Sequence, residues 1–172
     1  MNAQDYELLV RKVYNDLLRA EGVTVFHQKE YIRRSSGLPI NIDVSFEVEV
    51  AGARVLVLVE CKQYRKRVDV GAVDEFFAKV QDVGAHKGII VSTLGFQHGA
   101  EKAAEARGIA LALLSDEVVS GEMVYLFKQW RSDMAAVLRG NVRPWGALSD
   151  KAQGVRFNSA QDLVRAIVES LS

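Results

Sequence analysis

Arg54-Val55-Leu56-Val57-Leu58-Val59-Glu60-Cys61-Lys62-Gln63-Tyr64-Arg65-Lys66-Arg67 begins as an aliphatic, β-branched run and ends in an acid, a lysine and a basic cluster. The run has the composition of a buried strand. Such a strand does not normally end in Glu-x-Lys without a partner, because unpaired charge at a sheet core is costly. Two readings follow. Either the strand has reached solvent and its charges form a wet edge, or it delivers a carboxylate and a lysine into a cleft. The tripeptide alone does not decide, since a chain of this length shows one by chance about once.

The preceding segment does more. Ile40-Asn41-Ile42-Asp43-Val44-Ser45-Phe46-Glu47-Val48-Glu49-Val50 alternates with period two, and Ala51-Gly52 reads as a tight hairpin turn. With a two-residue loop, Val50 faces Ala53, Val48 faces Val55, Phe46 faces Val57 and Val44 faces Val59, an apolar face able to pack on helices. The other face sets Glu49 against Arg54, Glu47 against Leu56, Ser45 against Leu58 and Asp43 against Glu60, with Lys62 opposite Asn41. A slip of one residue loses the apolar face, the Glu49–Arg54 charge pair and the Asp43–Glu60–Lys62 grouping together. A bulge near Glu60 would shift it.

Asp43 and Glu60 repel each other unless a cation lies between them. Oxygen ligands suit Mg²⁺, or Mn²⁺, which keeps waters and shares its shell with phosphate oxygens. Lys62 would then position a water or help deprotonate it, while neutralising a phosphate. The plainer alternative is a Lys62 that bridges two acids with no chemistry attached.

Asp43 followed by Glu60-Cys61-Lys62 resembles the PD-(D/E)xK nuclease signature, and the flanks resemble the Mrr-like restriction endonuclease branch. The resembling segments are Asn41 to Val44, Val59 to Tyr64, and Lys87 to Ala100, within about residues 3 to 115. The three segments in this order carry the likeness; the tripeptide alone is unspecific. The sequence departs from the literal signature in having Ile42 before the acid, with Pro39 four residues upstream of it. The resemblance implies a central mixed β-sheet flanked by helices and Mg²⁺-dependent hydrolysis of DNA. It implies that Asp43 and Glu60 hold the metal, with the Cys61 backbone carbonyl as a further ligand and Lys62 acting on the attacking water. Glu7, on the first helix, is an auxiliary acid in this likeness, and Gln63 a residue that helps to hold the water. For Glu7 the competing reading is a first-turn glutamate favoured by the helix dipole.

The 172 residues suffice for a domain with a real core, and the 49% hydrophobic content is that of a soluble globular chain. Lys and Arg balance Asp and Glu at 22 each, so any phosphate-binding surface has to be a local patch. Cys61 is the only cysteine, which excludes an internal disulfide and a cysteine-based zinc site and fits a reducing cytoplasm. No apolar stretch is long enough for a membrane span, and the N-terminal sequence lacks a signal-peptide pattern.

Residues 3 to 21 read as a helix with an apolar stripe of Tyr6, Val10, Val13 and Leu17, and Gly22 beyond its end. Val23 to Ile32 reads as the first strand. His27 has no second histidine at metal spacing and reads as an ordinary strand residue. Lys29, Arg33 and Arg34 are candidate phosphate contacts; a solvated loop is the alternative. Tyr64, at the cleft mouth, and Arg65, Lys66 and Arg67 directly follow the proposed catalytic strand and are candidate phosphate contacts; a charge run is otherwise a solvated face. Asp69 caps a second helix whose stripe is Val70, Val73, Phe77 and Val80, ended by Gly84. Lys87 to Thr93 and Ile109 to Leu114 read as strands around a helix from Gln97 to Arg107, which implies parallel pairing. Ser92 and Thr93 then end a strand before a helix, where a phosphate site or a helix cap is natural.

Ser115-Asp116 is read as the cap of a long helix to about Arg139. A break at 140–146, a short extended piece at Val155 to Phe157 and a final helix after Ser159 follow. The expected organisation is thus a nuclease-like α/β domain over 1–115. A mainly helical extension over 116–172 would pack on it or form a homodimer contact. The expected partner is DNA, with a targeting protein if cleavage lacks sequence preference. The rival to an enzyme is a non-catalytic nucleic-acid-binding module on the same scaffold; a third reading is an ion-pair site in a protein that never meets DNA.

Overall fold

A computed structural model describes residues 1–19, 22–119 and 122–130, with residues 50, 115–119 and 122–130 described by their backbone alone. The chain runs α1 (Ala3–Leu18), β1 (Val25–Ile32), β2 (Pro39–Val50), β3 (Ala53–Lys62), α2 (Val70–Val83), β4 (Lys87–Ser92), α3 (His98–Arg107), β5 (Ile109–Val119) and β6 (Glu122–Trp130). The six strands form one sheet in chain order. β1, β2 and β3 are antiparallel neighbours, β3, β4 and β5 are parallel, and β6 returns antiparallel to β5. This is the mixed α/β sheet expected.

The β2–β3 hairpin has the register the alternation requires, from Val50 opposite Ala53 to Val44 opposite Val59. Its turn residues Ala51 and Gly52 both have positive φ, 50° and 82°, as tight two-residue loops demand. Val44, Phe46, Val48, Val55, Val57 and Val59 form the expected apolar face. It packs on the α1 stripe of Tyr6, Val10, Tyr14 and Leu18. Tyr14 and Phe46 meet there with ring centroids 5.3 Å apart. The opposite face carries Leu58, Ile90, Leu111 and Leu113 against α2 and α3.

Capping residues set the helix ends. Asn2 and Asp5 form a capping box at α1. Asp69 accepts the Ala72 N–H at 3.2 Å, and Gly84 ends α2 in the left-handed region. The α2 stripe is Val73, Phe76 and Val80. Val70 is exposed and Phe77 only half-buried, because the helix is rotated from the expected stripe toward Phe76. Gly88 on β4 permits a close approach: an added Cβ would lie 2.7 Å from Val80 Cγ2 and 2.8 Å from Phe76 Cε1.

One irregularity shapes the site end of the sheet. Val44, Phe46 and Val48 face α1, yet Ile42 and Ile40 face α2. Period-two alternation would put all five on one side. The break falls at Asp43, and on β1 it falls at Gln28, which has φ 51°. The ladder pairs His27 with Val44 and Lys29 with Ile42 but leaves out Gln28 and Asp43 between them. The paired break turns the hairpin tip from the α1 face toward α2. There Tyr31 joins the second core and donates its hydroxyl to Ser45 Oγ at 2.9 Å.

The expected helix from Ser115 is not formed over 116–119 and 122–130. β5 continues to Val119 and pairs with β6 from Leu111–Trp130 to Val119–Glu122. Val118, Val119, Val124, Tyr125, Phe127 and Trp130 are strand formers, and they outweigh a capping signal at Ser115-Asp116. The strand therefore crosses residue 115. The rest of that helix to Arg139, the break at 140–146, the piece at Val155 to Phe157, the helix after Ser159 and the dimer contact lie outside the described residues.

Candidate active site

The β2–β3 ladder stops after Val44–Val59, one step short of the expected Asp43–Glu60 pair. Asp43 Oδ2 instead accepts the Cys61 backbone N–H at 2.8 Å. A carboxylate thus takes the place of a ladder carbonyl, and the two strands part beyond it. The Lys62 carbonyl accepts from the N–H of Thr93, the residue after β4, so alternation turns the Cys61 carbonyl to the β2 side, into that fork.

Asp43 is half-buried, and its carboxyl is pushed up to about 6. Burial is the main cause and the Glu60 charge the next; the Cys61 N–H bond opposes them, Glu7 adds to them, and Lys79 opposes. Glu60 is 6% exposed on the α2 face, and its Oε1 accepts from Lys62 Nζ at 2.8 Å and Lys79 Nζ at 3.0 Å. Burial pulls Lys62 down, but the charge and hydrogen bond of Glu60, with Tyr64 beyond, outweigh it and leave the ammonium held above its usual range. Lys79 is raised in the same way, burial opposed by Glu60 and then Glu75.

Asp43, Glu60 and Lys62 are therefore brought to one place. None of the described residues donates a hydrogen bond to Asp43 Oδ1 or Glu60 Oε2. These are hard oxygen donors in a poorly solvated fork, the donor chemistry that Mg²⁺ or Mn²⁺ takes. Among the described residues no group of three or more His, Cys, Asp or Glu is placed to hold a metal ion. Two carboxylates and a backbone carbonyl fit an ion that keeps waters and shares its shell with phosphate.

The sequence matches the family Mrr_cat, restriction endonuclease, over residues 1–117. The chain belongs to the Mrr-type restriction endonuclease family. No curated protein matches it. Among solved structures, the crystal structure of the protein of unknown function AF1548 is similar at a TM-score of 0.53 and 22% identity. The match covers 65% of this chain and 58% of AF1548, so the chain spans under two thirds of that relative, and the likeness shows the shared fold. MspJI restriction endonuclease, in complex with a 27-mer oligonucleotide, is matched at 21% identity and a TM-score of 0.43, over 65% of this chain and 25% of that one. The DNA modification-dependent restriction endonuclease AspBHI is matched at 16% and 0.34, over 64% and 32%.

The other residues singled out in this Mrr-type chain are placed as follows. Glu7 lies in the second turn of α1, beyond the first-turn dipole position, and its Oε2 meets His27 Nε2 at 3.0 Å and Gln28 Nε2 at 2.6 Å. Neighbouring strand residues point to opposite faces, so one carboxylate reaches both only because Gln28 is left-handed. Gln63 donates to the Met1 carbonyl. The Cys61 thiol packs against the α1 core and is pushed well up by burial, then by Asp43, Glu7 and Glu60, with Lys62 opposing.

Tyr64 is exposed, with Lys62 Nζ 5.5 Å from its ring centroid. Arg65, Lys66 and Arg67 are exposed in the loop after β3, and Lys66 reaches Asp69 at 3.4 Å. Thr93 Oγ1 donates to the Tyr64 carbonyl at 3.4 Å. Ser92 is fully buried; its hydroxyl donates to Gly95 O and accepts from the Leu94 and Gly95 N–H groups, which commits it to the turn. Arg33 pairs with Asp82 at 3.5 Å, and the Arg34 guanidinium lies over Gly84. Both thus sit at the C-terminal end of α2, while the basic loop precedes its N-terminus about 20 Å away along the helix axis.

Lys79 was not singled out by sequence. Glu75 and Lys79 form an i,i+4 pair, 3.3 Å apart, which reads as an exposed helix pair. The available signal was its place three residues after Phe76 and one before Val80, at the edge of the buried stripe.

Proposed function

We propose that the chain is a Mg²⁺- or Mn²⁺-dependent endonuclease that hydrolyses DNA phosphodiester bonds. Family membership supports a nuclease. The observation that carries the metal reading is a pair of oxygens, Asp43 Oδ1 and Glu60 Oε2, that take no donor among the described residues, beside the fork of β2 and β3. Asp43, Glu60 and the Cys61 carbonyl would hold the ion. When bound, the ion supplies Lewis acidity to the scissile phosphate and lowers the pKa of a coordinated water.

Lys62 carries a positive charge beside that place. A protonated ammonium takes no proton, so in this reading Lys62 neutralises the phosphate and orients the attacking water. Glu7 stays auxiliary: it adds negative charge near Asp43 while His27 and Gln28 hold its carboxylate. Gln63 has the same auxiliary standing. Tyr64, Arg65, Lys66, Arg67 and Thr93 edge the surface that a DNA backbone would meet, and duplex DNA is the proposed partner.

The test is cleavage of plasmid DNA with Mg²⁺ and with EDTA. Wild-type protein is expected to cut only with the ion. Asp43→Ala and Lys62→Ala are each expected to lose at least ~100-fold in rate, as removal of a charge-stabilising group does. Cleavage that persists in either variant overturns the assignment; salt-dependent binding with no cleavage by the wild type favours the non-catalytic module.

A further inference from the structure

Two ammonium groups converge on one carboxylate oxygen. Lys62 Nζ is 2.8 Å and Lys79 Nζ 3.0 Å from Glu60 Oε1, while Oε2 has no donor among the described residues. Lys62 comes from the catalytic strand, Lys79 from the middle of α2, so separate elements deliver the two charges. All three side chains are largely withdrawn from water, with side-chain exposures of 7% for Glu60, 11% for Lys62 and 20% for Lys79. Solvent screening is weak at such burial, and an ion pair there exerts more of its force than one on the surface.

The local charge follows. Asp43 and Glu60 supply two carboxyl groups, and Lys62 and Lys79 supply two ammonium groups. One lysine would leave the acids under-compensated without a dication; the second adds an ammonium directly on Glu60, while Glu7 and Glu75 add negative charge farther out. A dication entering beside Glu60 meets two ammonium groups already there. We propose that Lys79 is a positioning residue that occupies Glu60 as a resident counter-cation, holding the acid pair together in metal-free protein and weakening divalent-ion binding until the ion displaces it. Glu75, 3.3 Å away and 65% exposed, is the partner to which the released ammonium turns. The inference rests on the proposed metal site.

The experiment is Mn²⁺ titration followed by electron paramagnetic resonance of the free ion. It uses the full chain as wild type, Lys79→Gln, Lys79→Met and Lys79→Arg, with thermal melts in EDTA and in saturating Mn²⁺. Removing the competing charge is expected to tighten Mn²⁺ binding roughly five-fold in the Gln and Met variants, a change of ~1 kcal/mol. The Arg variant keeps the charge and is expected to bind as weakly as wild type. The Gln and Met variants melt below wild type in EDTA and draw level with it in saturating Mn²⁺. A purely structural ion pair would lower both melts alike and leave the affinity unchanged, which overturns the proposal, as does weaker Mn²⁺ binding by the two neutral variants. A wild type that takes up no Mn²⁺ removes this inference together with the metal site, whereas unchanged affinities with a binding wild type remove this inference alone.

Discussion

Asp43 carries opposing demands: the proposed metal site needs its charge, and burial beside Glu60 opposes that charge in the fold. Its carboxyl is raised from 3.8 to about 6, by burial first and by Glu60 next. In metal-free protein the folded state thus holds a proton that the unfolded state releases. Its contribution to stability is intact below pH 3.8, falls as pH rises through 6, and is fully lost above that. Asp43→Asn keeps an oxygen for the Cys61 N–H and cannot ionise. It is expected to be more stable than wild type at pH 8 in EDTA, by on the order of 1–2 kcal/mol, with the gap closing by pH 4. Cleavage is lost in the same variant. Denaturant titrations at the two pH values check this; an Asn variant less stable at pH 8 would contradict it. For the same reason, at limiting Mg²⁺ the wild-type rate is expected to fall as pH drops through about 6, because a protonated Asp43 gives up its charge to no ion. The grouping of Asp43, Glu60 and Lys62 was legible in sequence from the hairpin register and from three resembling segments in order, since Glu-x-Lys alone is unspecific. Lys79 was not, because a lysine four residues after a glutamate on a helix satisfies a surface pattern completely.

At the scale of elements, the β2–β3 hairpin was legible from Val44–Val59 to the turn, since only one register buries an apolar face and sets Glu49 opposite Arg54. The Arg54 guanidinium nonetheless reaches Glu47, at 4.0 Å, and the expected Asp43–Glu60 and Asn41–Lys62 pairs do not form. The reversal at Gln28 and Asp43 was not, because glutamine gives no sign of a left-handed backbone. That reversal makes a discriminating prediction. On an exposed strand position valine is ordinarily neutral or favourable. At Gln28 it is expected to cost about 1–2 kcal/mol, since a β-branched residue resists φ near 51°, whereas Gln28→Gly loses the Glu7 hydrogen bond but relieves the backbone and stays near neutral. Urea midpoints for the two variants measure it; a valine variant as stable as wild type would show that the backbone relaxes freely. The misread stretch after Leu114 has the opposite cause: a cap signal at Ser115-Asp116 was given more weight than a β-rich composition, and pairing with a neighbouring strand decided the outcome.

For the whole molecule, zero net charge means that attraction to the proposed DNA partner would come from placement rather than total. The loop after β3 concentrates Arg65, Lys66 and Arg67 beside Lys62, whereas Arg33 and Arg34 are engaged at the far end of α2. Arg65→Ala with Arg67→Ala is therefore expected to lower the slope of log affinity against log salt by about 2, similarly for unrelated DNA sequences. Arg34→Ala should leave that slope unchanged. Fluorescence anisotropy across a salt series separates these outcomes. No helix among the described residues is long and apolar enough to cross a membrane. The mixed sheet was legible because its strands and helices alternate with short links; the two-faced use of the β1–β2 hairpin was not, because it depends on two facing residues, one on each strand.

Gly88 never meets the acids, yet its missing methyl helps to set how closely α2, and Lys79 with it, lies to Glu60. The bare backbone lets Phe76 and Val80 rest directly on β4, and Lys79 sits between them in sequence. A side chain there would act as a shim under α2, lifting the helix and withdrawing the ammonium from Glu60. Tuning of this site by mutation therefore extends to a buried position with no polar atom of its own beyond the peptide, on the side of the helix that solvent never reaches.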